Sequence, residues 1–389
     1  MRRILFTAGL AASVALAAAN ANAQSVKVGV MLTLSGPAAV LGQHARDGFN
    51  LGVKHLGGKL GGLDAEVVVV DDELKPDVGV QRVQALLERD KVDVVVGVIF
   101  SNVMMAIAKP VFDAQIPLIS PNAGPSPLAG KGCSPWFFST AWQNDQNHEV
   151  MGKHAQDEGY KKIVLIAPNY QAGKDSMAGF KRHYKGEVVE EIFNQVNQLD
   201  FAAEIARIAA AKPDAVFAFE PGGMGVNFVR QYAQAGLSGK IPLLSAFTVD
   251  ETTMVATQDA ALGMVSGSHW AHNLDNPANK KFIADFEAAY KYVPAQYASQ
   301  GYDAALLIDA AIKAVGGKIQ DKQAFRDAIK NAKFTSTRGD FKFSNNGFPI
   351  QDFYVVKAVK RADGKFVTET VKKVFDDFGD AYAKDCPLK

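Results

Sequence analysis

The residues with chemistry to offer stand at two breaks in an apolar stretch. Ser101 and Asn102 follow, after Phe100, on the run VDVVVGVI at 92–99, and Pro121-Asn122-Ala123-Gly124 follow on IPLIS at 116–120. Between them, 103–113 has the apolar spacing of a helix. A hydroxyl and an amide at strand ends, beside a helix start whose backbone N–H groups have no partner, suit a carboxylate. Ser101 is placed where it can cap that helix. The plainer alternative is a capped helix with nothing bound.

The run 92–99 is broken only by Asp93 and Gly97, the pattern of a strand buried on both faces of a parallel sheet. Strand, helix and strand make a βαβ unit, and ligands of open α/β sheets bind beyond such strand ends. The alternation spreads to both sides: strands at 26–34 and 65–72 with helices at 44–56 and 78–89 come before it. From Lys161 a second series begins, with strands at 163–167, 188–193, 215–219 and 241–245 and helices at 174–184, 201–210 and 224–235. Two such series predict two doubly wound α/β lobes. Helices at 278–290, 298–315 and 321–331 then lack sheet partners beside them, so the chain is expected to return to the first lobe. It then crosses back for a strand at 353–359. The expected architecture is a first lobe of 24–141 and 273–345, a second of 142–272 and 346–389, and a three-segment hinge near 140–143, 271–273 and 344–348.

The first 23 residues read as an export signal. Arg2 and Arg3 precede an Ala-rich apolar segment that ends in Ala21-Asn22-Ala23, a small-x-small cleavage pattern. The rest of a twin-arginine signal is missing, which points to the general secretory route, and no cysteine near the cleavage point offers a lipid anchor. No later stretch approaches the ~20 apolar residues of a membrane helix. The expected location is the periplasm. Without Arg2 and Arg3 the chain carries 40 basic against 41 acidic side chains, a balance that gives no reason to expect nucleic acid as a partner. Cys133 and Cys386 form an even pair in an oxidising compartment and are expected to bond; two free thiols are the alternative.

Catalytic signatures fail one by one. No G-x-G-x-x-G follows a strand, and GPSPLAGKG at 124–132 lacks both the phosphate-loop spacing and its closing Ser or Thr. There is no G-x-S-x-G, and His148-Glu149 continues as Val150-Met151-Gly152 rather than toward a second histidine. His269 and His272 are spaced H-x-x-H, but no further zinc ligands lie near them in sequence. No enzyme, metal or cofactor is expected.

With the segments in order, the chain resembles the periplasmic solute-binding proteins of the leucine/isoleucine/valine-binding type that serve ABC importers. The resemblance rests on VKVGVMLTLSGPAAVLGQHARDGFNLGV, VVVGVIFSNVMMAIAKPVFDAQIPLISPNAG and NYQAGKDSMAGF, and it covers nearly all of the chain past the signal. It implies a two-lobed monomeric protein that closes on a small ligand and docks on a membrane permease. The family's carboxylate-binding serine matches Ser101, and its second contact loop matches Asn122 to Gly124, with Gly124 where amino-acid binders usually have a threonine. The tyrosine of its YGxG segment matches Tyr170, although Gln171 replaces the glycine; a bulky residue after SGP matches Leu41. The acidic residue that amino-acid binders turn on the α-ammonium falls at Phe247.

That replacement bears on the ligand. A buried ammonium without an accepting partner leaves its desolvation uncompensated. Phe100, Tyr170, Phe247 and Trp270 instead offer rings to a flat apolar body. An aromatic carboxylate of the benzoate or phenylpropenoate type is the expected ligand, and SPNAG resembles loops of binders for lignin-derived acids. The alternative is a branched-chain or other amino acid, with Glu220 as the ammonium partner. A ligand-sensing receptor subunit shares the expected fold, but such a sensor is usually fused to a membrane helix and signalling module, and none follows here before Lys389. Trp270 is either cleft wall or hinge packing, and Gln43 and Asn102 are either polar contacts or helix caps.

Overall fold

The computed structural model describes residues 25–389; the expected export signal lies outside them. The chain forms two α/β lobes. The first is built on β1 (Ser25–Leu32), β2 (Lys59–Leu60), β3 (Leu63–Asp71), β4 (Val94–Gly97), β5 (Leu118–Ser120) and β6 (Phe137–Ser139), in the order β2-β3-β1-β4-β5-β6. All of its pairs are parallel except β2 with β3. The helices between these strands are α1 (Ala39–His55), α2 (Pro76–Ala85), α3 (Ser101–Asp113) and the short α4 (Ser126–Ala129).

The second lobe holds β7 (Lys162–Pro168), β8 (Glu187–Asn194), β9 (Ala215–Ala218), β10 (Leu243–Ser245) and β11 (Val265–Ser268). Its helices are α5 (Gln146–Asp157), α6 (Gln171–His183), α7 (Ala202–Ala211), α8 (Gly223–Gln234) and α9 (Glu251–Thr257). Then α10 (Pro277–Tyr290), α11 (Gln296–Ala314) and α12 (Lys322–Lys330) return, α11 lying along α1 and α12 against α11. Finally β12 (Lys342–Phe343), β13 (Pro349–Lys360) and β14 (Phe366–Phe378) complete a second sheet in the order β12-β13-β11-β10-β9-β7-β8, with β14 on β13.

Both sheets reverse winding direction once. In the first the reversal falls between β1 and β4, in the second between β7 and β9. Loops that follow the strands at such a point diverge and leave a crevice. The loops after β1, β4, β7 and β9 lead into α1, α3, α6 and α8, so four helix starts converge on the space between the lobes.

The pairing of α1 with α11 is unusually close. A Cβ on Gly48 would lie 1.9 Å from the Ala298 carbonyl oxygen, and one on Gly301 would lie 2.0 Å from that of Ala45. Glycine is required at both places because any side chain would meet backbone that cannot yield. This packing sets the two helix ends that carry Leu41 and Tyr297. The C-terminal tail is fastened by a disulfide between Cys133 and Cys386, whose Cα atoms are 5.8 Å apart.

Three local features differ from the sequence reading. Helix α1 starts at Ala39 rather than after Gly42, because Pro37-Ala38 make the turn and no polar cap marks the start. Helix α5 was not anticipated, since nine of its residues are buried although many are polar. Strand β14, for which the sequence reading has no element, carries Asp376 and Asp377 on an outer face charged as edge strands commonly are.

Candidate functional site

The crevice narrows to a small cavity of about 10 Å³ between its lining side chains. The first lobe contributes Leu41, Ile99, Phe100, Ser101, Asn122, Ala123 and Tyr297, and the second Tyr170, Ala172, Phe219, Pro221 and Phe247; Trp142 and Asn144 come from the segment joining them. None of these carries a charge.

Six aromatic rings line the wall. Phe247 and Trp142 lie with centroids 4.4 Å apart at 30°, Tyr170 stacks beside Phe219 at 6.3 Å and 18°, and Phe100 tilts against Tyr170 at 5.9 Å. Phe247 adopts φ 62°, a left-handed conformation that costs a non-glycine residue on the order of 1–3 kcal/mol. Packing against Trp142, Phe219 and Tyr297 holds it there. Behind the wall His148 meets Phe219 edge-on at 4.9 Å; burial pushes its imidazole down to about 3, so it packs as a neutral ring.

The polar groups gather at helix starts. The N-caps of α3, α6 and α8 are Phe100, Tyr170 and Gly222, and none of the three supplies a side-chain cap. Those first-turn amides that no other group takes leave partial positive charge at these helix starts, worth roughly 0.3–1 kcal/mol per helix toward an anion. Ser101 is the first residue of α3 and does not cap it: its Oγ accepts a 3.0 Å hydrogen bond from Asn144 Nδ2. The one hydroxyl proton of Ser101 is left to donate elsewhere. Asn122 is internally occupied, with Nδ2 donating to the Ile99 carbonyl at 2.7 Å and Oδ1 facing Trp142 Nε1 at 3.5 Å. Tyr170 and Tyr297 are buried, and burial raises both phenols so that they stay protonated. Neither hydroxyl bonds to a described residue.

The lobes are in contact around this cavity. Gly223 N–H donates to the Pro37 carbonyl at 3.1 Å. Across the other rim, Asp175 on α6 accepts from Ser126 N–H at 3.0 Å and from Ser126 Oγ at 2.7 Å.

Seven of the residues singled out from sequence meet at this cavity: Leu41, Phe100, Ser101, Asn122, Ala123, Tyr170 and Phe247. The others lie elsewhere. The Gly124 amide donates to Asn144 Oδ1 at 2.9 Å, so it has no free N–H for an anion. Gln43 is exposed on α1, and Asn102 is half-buried behind Ser101. Glu220 sits between two lining residues but turns away, accepting from Asn194 Nδ2 at 3.2 Å; burial raises its carboxyl well above the usual range. Trp270 belongs to the packing where the chain leaves β11, with Nε1 donating to Asn279 Oδ1 at 2.7 Å. His269 is held by Asn147 and Gln300, and His272 by the Pro294 carbonyl. Among the described residues no group of three or more His, Cys, Asp or Glu is arranged to hold a metal ion.

Sequence reasoning passed over Trp142, Asn144, Phe219 and Tyr297. Trp142 and Asn144 lie at or beside an expected crossover, which was itself a signal, because a crossover passes the mouth of any cleft between lobes. Tyr297 lies in the first turn of α11, outside both strand–helix series, and nothing local marks it.

The two-lobed α/β fold is shared with known proteins. Periplasmic binding proteins as a family match residues 25–365. The chain belongs to the periplasmic binding protein family. A solute-binding protein of an ABC transporter from R. palustris, solved in complex with benzoate, is 36% identical, with 94% of this chain and 100% of that one covered and a TM-score of 0.88. Another from Rhodopseudomonas palustris BisB5, in complex with 3,4-dihydroxybenzoic acid, is 31% identical, with 92% and 99% covered and a TM-score of 0.86. The Leu/Ile/Val-binding protein homolog 6 of Brucella melitensis is 30% identical, with 98% of each chain covered.

Proposed function

We propose that this periplasmic binding protein is the substrate-binding subunit of an ABC importer and that its ligand is a small aromatic carboxylate. The observation that carries the reading is a cavity walled by rings with no charged side chain among its lining residues. Burying a phenyl-sized ring is worth about 1.5–3 kcal/mol. An α-ammonium left there without a partner costs several kcal/mol, enough to cancel that gain. A carboxylate is served differently, by the Ser101 hydroxyl, the starts of α3, α6 and α8, and the unbonded phenols of Tyr170 and Tyr297. Relatives solved with benzoate and 3,4-dihydroxybenzoic acid support the same class.

In this reading the protein is exported behind residues 1–23, works in the periplasm as a monomer without cofactor or catalysis, and hands its ligand to a membrane permease. The first lobe captures the carboxylate at Ser101, and the second brings Tyr170, Phe219 and Phe247 over the ring. Closure is favoured only by the contacts the ligand adds across the cleft. A second reading, an amino-acid binder, draws on the Brucella relatives named for leucine, isoleucine and valine and on the unpartnered Oε1 of Glu220. Thermal-shift measurements on refolded, ligand-free protein separate the two. Benzoates and cinnamates should raise the melting temperature and leucine or valine should not; the reverse pattern rejects the aromatic reading.

A further inference from the structure

A line of hydrogen bonds runs from the cavity to the rim where the lobes meet. Asn144 makes three bonds with its side-chain amide: Oδ1 accepts from the Gly124 amide at 2.9 Å, and Nδ2 donates to Ser101 Oγ at 3.0 Å and to Asp175 Oδ2 at 2.9 Å. The amide cannot be turned over, because its oxygen must face an N–H and its two hydrogens must each face an acceptor. Asp175 accepts from four donors in all: Ser126 N–H, Ser126 Oγ, Asn144 Nδ2 and Gln171 Nε2, the last at 2.8 Å. Asp175 is 3% and Asn144 1% exposed, so water does not substitute for these partners.

The placement of the four residues gives the line a direction. Ser101 and Ser126 stand on the first lobe, Asp175 on α6 of the second, and Asn144 in the segment that joins β6 to α5. Asp175 keeps both Ser126 bonds only while the lobes are together. With the lobes together it also holds one hydrogen of Asn144, which leaves the other for Ser101. Because Ser101 Oγ is then an acceptor, its own proton is turned from Asn144 toward the cavity.

We propose that Asp175 is a closure latch and a positioning residue: it locks the lobes through Ser126 and, by way of Asn144, aims the Ser101 hydroxyl at the bound carboxylate. The aiming half rests on the reading of Ser101 as a ligand contact, whereas the latch half does not. Sequence gave no sign of it, since Asp175 lies one turn into α6 where an acidic residue is ordinarily a solvated face.

The test is a double-mutant cycle with benzoate as the probe, read by calorimetry, joined to an interlobe distance measured between spin labels on exposed sites of each lobe. Asp175→Asn keeps the shape of the side chain but sets an N–H₂ against donors. It should weaken benzoate about tenfold or more and shift the ligand-free distances toward the open form. Ser101→Ala should then cost far less in the Asp175→Asn protein than in the wild type, the mark of coupled residues. Ser126→Ala, at a half-buried site outside the cavity, should reproduce the shift in distances with a smaller loss of affinity and guards against an unfolded first variant. Equal cost of Ser101→Ala in both backgrounds overturns the aiming role. Unchanged distances in both rim variants overturn the latch. If the wild type takes leucine and not benzoate, the ligand reading fails by itself; the same cycle run with leucine, whose carboxylate would meet Ser101 equally, and the ligand-free distances still decide the proposal.

Discussion

Replacing Ser101 by alanine isolates one interaction, and the structure predicts its size. Ser101 is 1% exposed and its hydroxyl accepts from Asn144 Nδ2, so its single proton is available to a carboxylate in the cavity. A hydrogen bond to a charged group is worth about 1.5–3 kcal/mol, which converts to a loss of roughly 10- to 150-fold in affinity at 1.4 kcal/mol per tenfold. Alanine leaves one buried Asn144 N–H without its acceptor, at a cost of about 1–3 kcal/mol. The Asn144 amide keeps Asp175 and Gly124, and Ala at the first position of α3 is an excellent helix former. The ligand-free protein should therefore lose no more than about 1–3 kcal/mol of stability while benzoate binding weakens. Calorimetry of the variant against benzoate is the assay. Affinity within twofold of the wild type would refute the claim that Ser101 holds the carboxylate, and a large fall in ligand-free stability would show that its role is structural.

The same structure makes three further predictions. Replacing Cys133 and Cys386 together by serine opens a link spanning 253 residues and should lower stability by about 2–4 kcal/mol; denaturant midpoints that do not move would show that the tail adds nothing. Gly48→Ala would press a methyl group on the Ala298 carbonyl and part α1 from α11, at a cost of about 1–3 kcal/mol, visible as a lower melting temperature. Burial, with the adjacent Asp250 second, pushes the Glu251 carboxyl up to about 8, so the folded protein holds a proton that the unfolded chain releases above its ordinary carboxylate range. The stability this contributes is complete at acid pH and is lost as pH rises through about 8. Glu251→Gln, which can still accept from Thr368, should flatten the fall in melting temperature between about pH 5 and 8; parallel curves for variant and wild type would reject the shift.

Much of this molecule could be read before its coordinates. Strand–helix alternation requires parallel sheets covered on both faces, because apolar runs such as that ending at Val94–Gly97 cannot leave either face in water. The helices after β11 had no sheet of their own and had to return to the first lobe. The pair Cys133 and Cys386 was legible from compartment and count. Residues at strand-to-helix junctions could be proposed for the cavity because that is where an open sheet leaves backbone groups and side chains at its edge: Phe100 and Ser101 after β4, Tyr170 after β7.

What lay beyond reach was anything set by contact between distant segments. Whether Asn122, Gly124 or Asn144 has a hydrogen left to give depends on which neighbours already hold it, and those neighbours lie 20 residues or more away in the chain. Phe247 faces the cavity through a left-handed backbone that no propensity favours, stabilised by Trp142 and Tyr297 from other parts of the chain. Local sequence determined the elements, since their period and polarity are properties of a few consecutive residues. Only the packing of the two lobes decided which polar atoms stay free and which rings share a wall, because hydrogen-bond saturation and ring contact belong to pairs brought together in space.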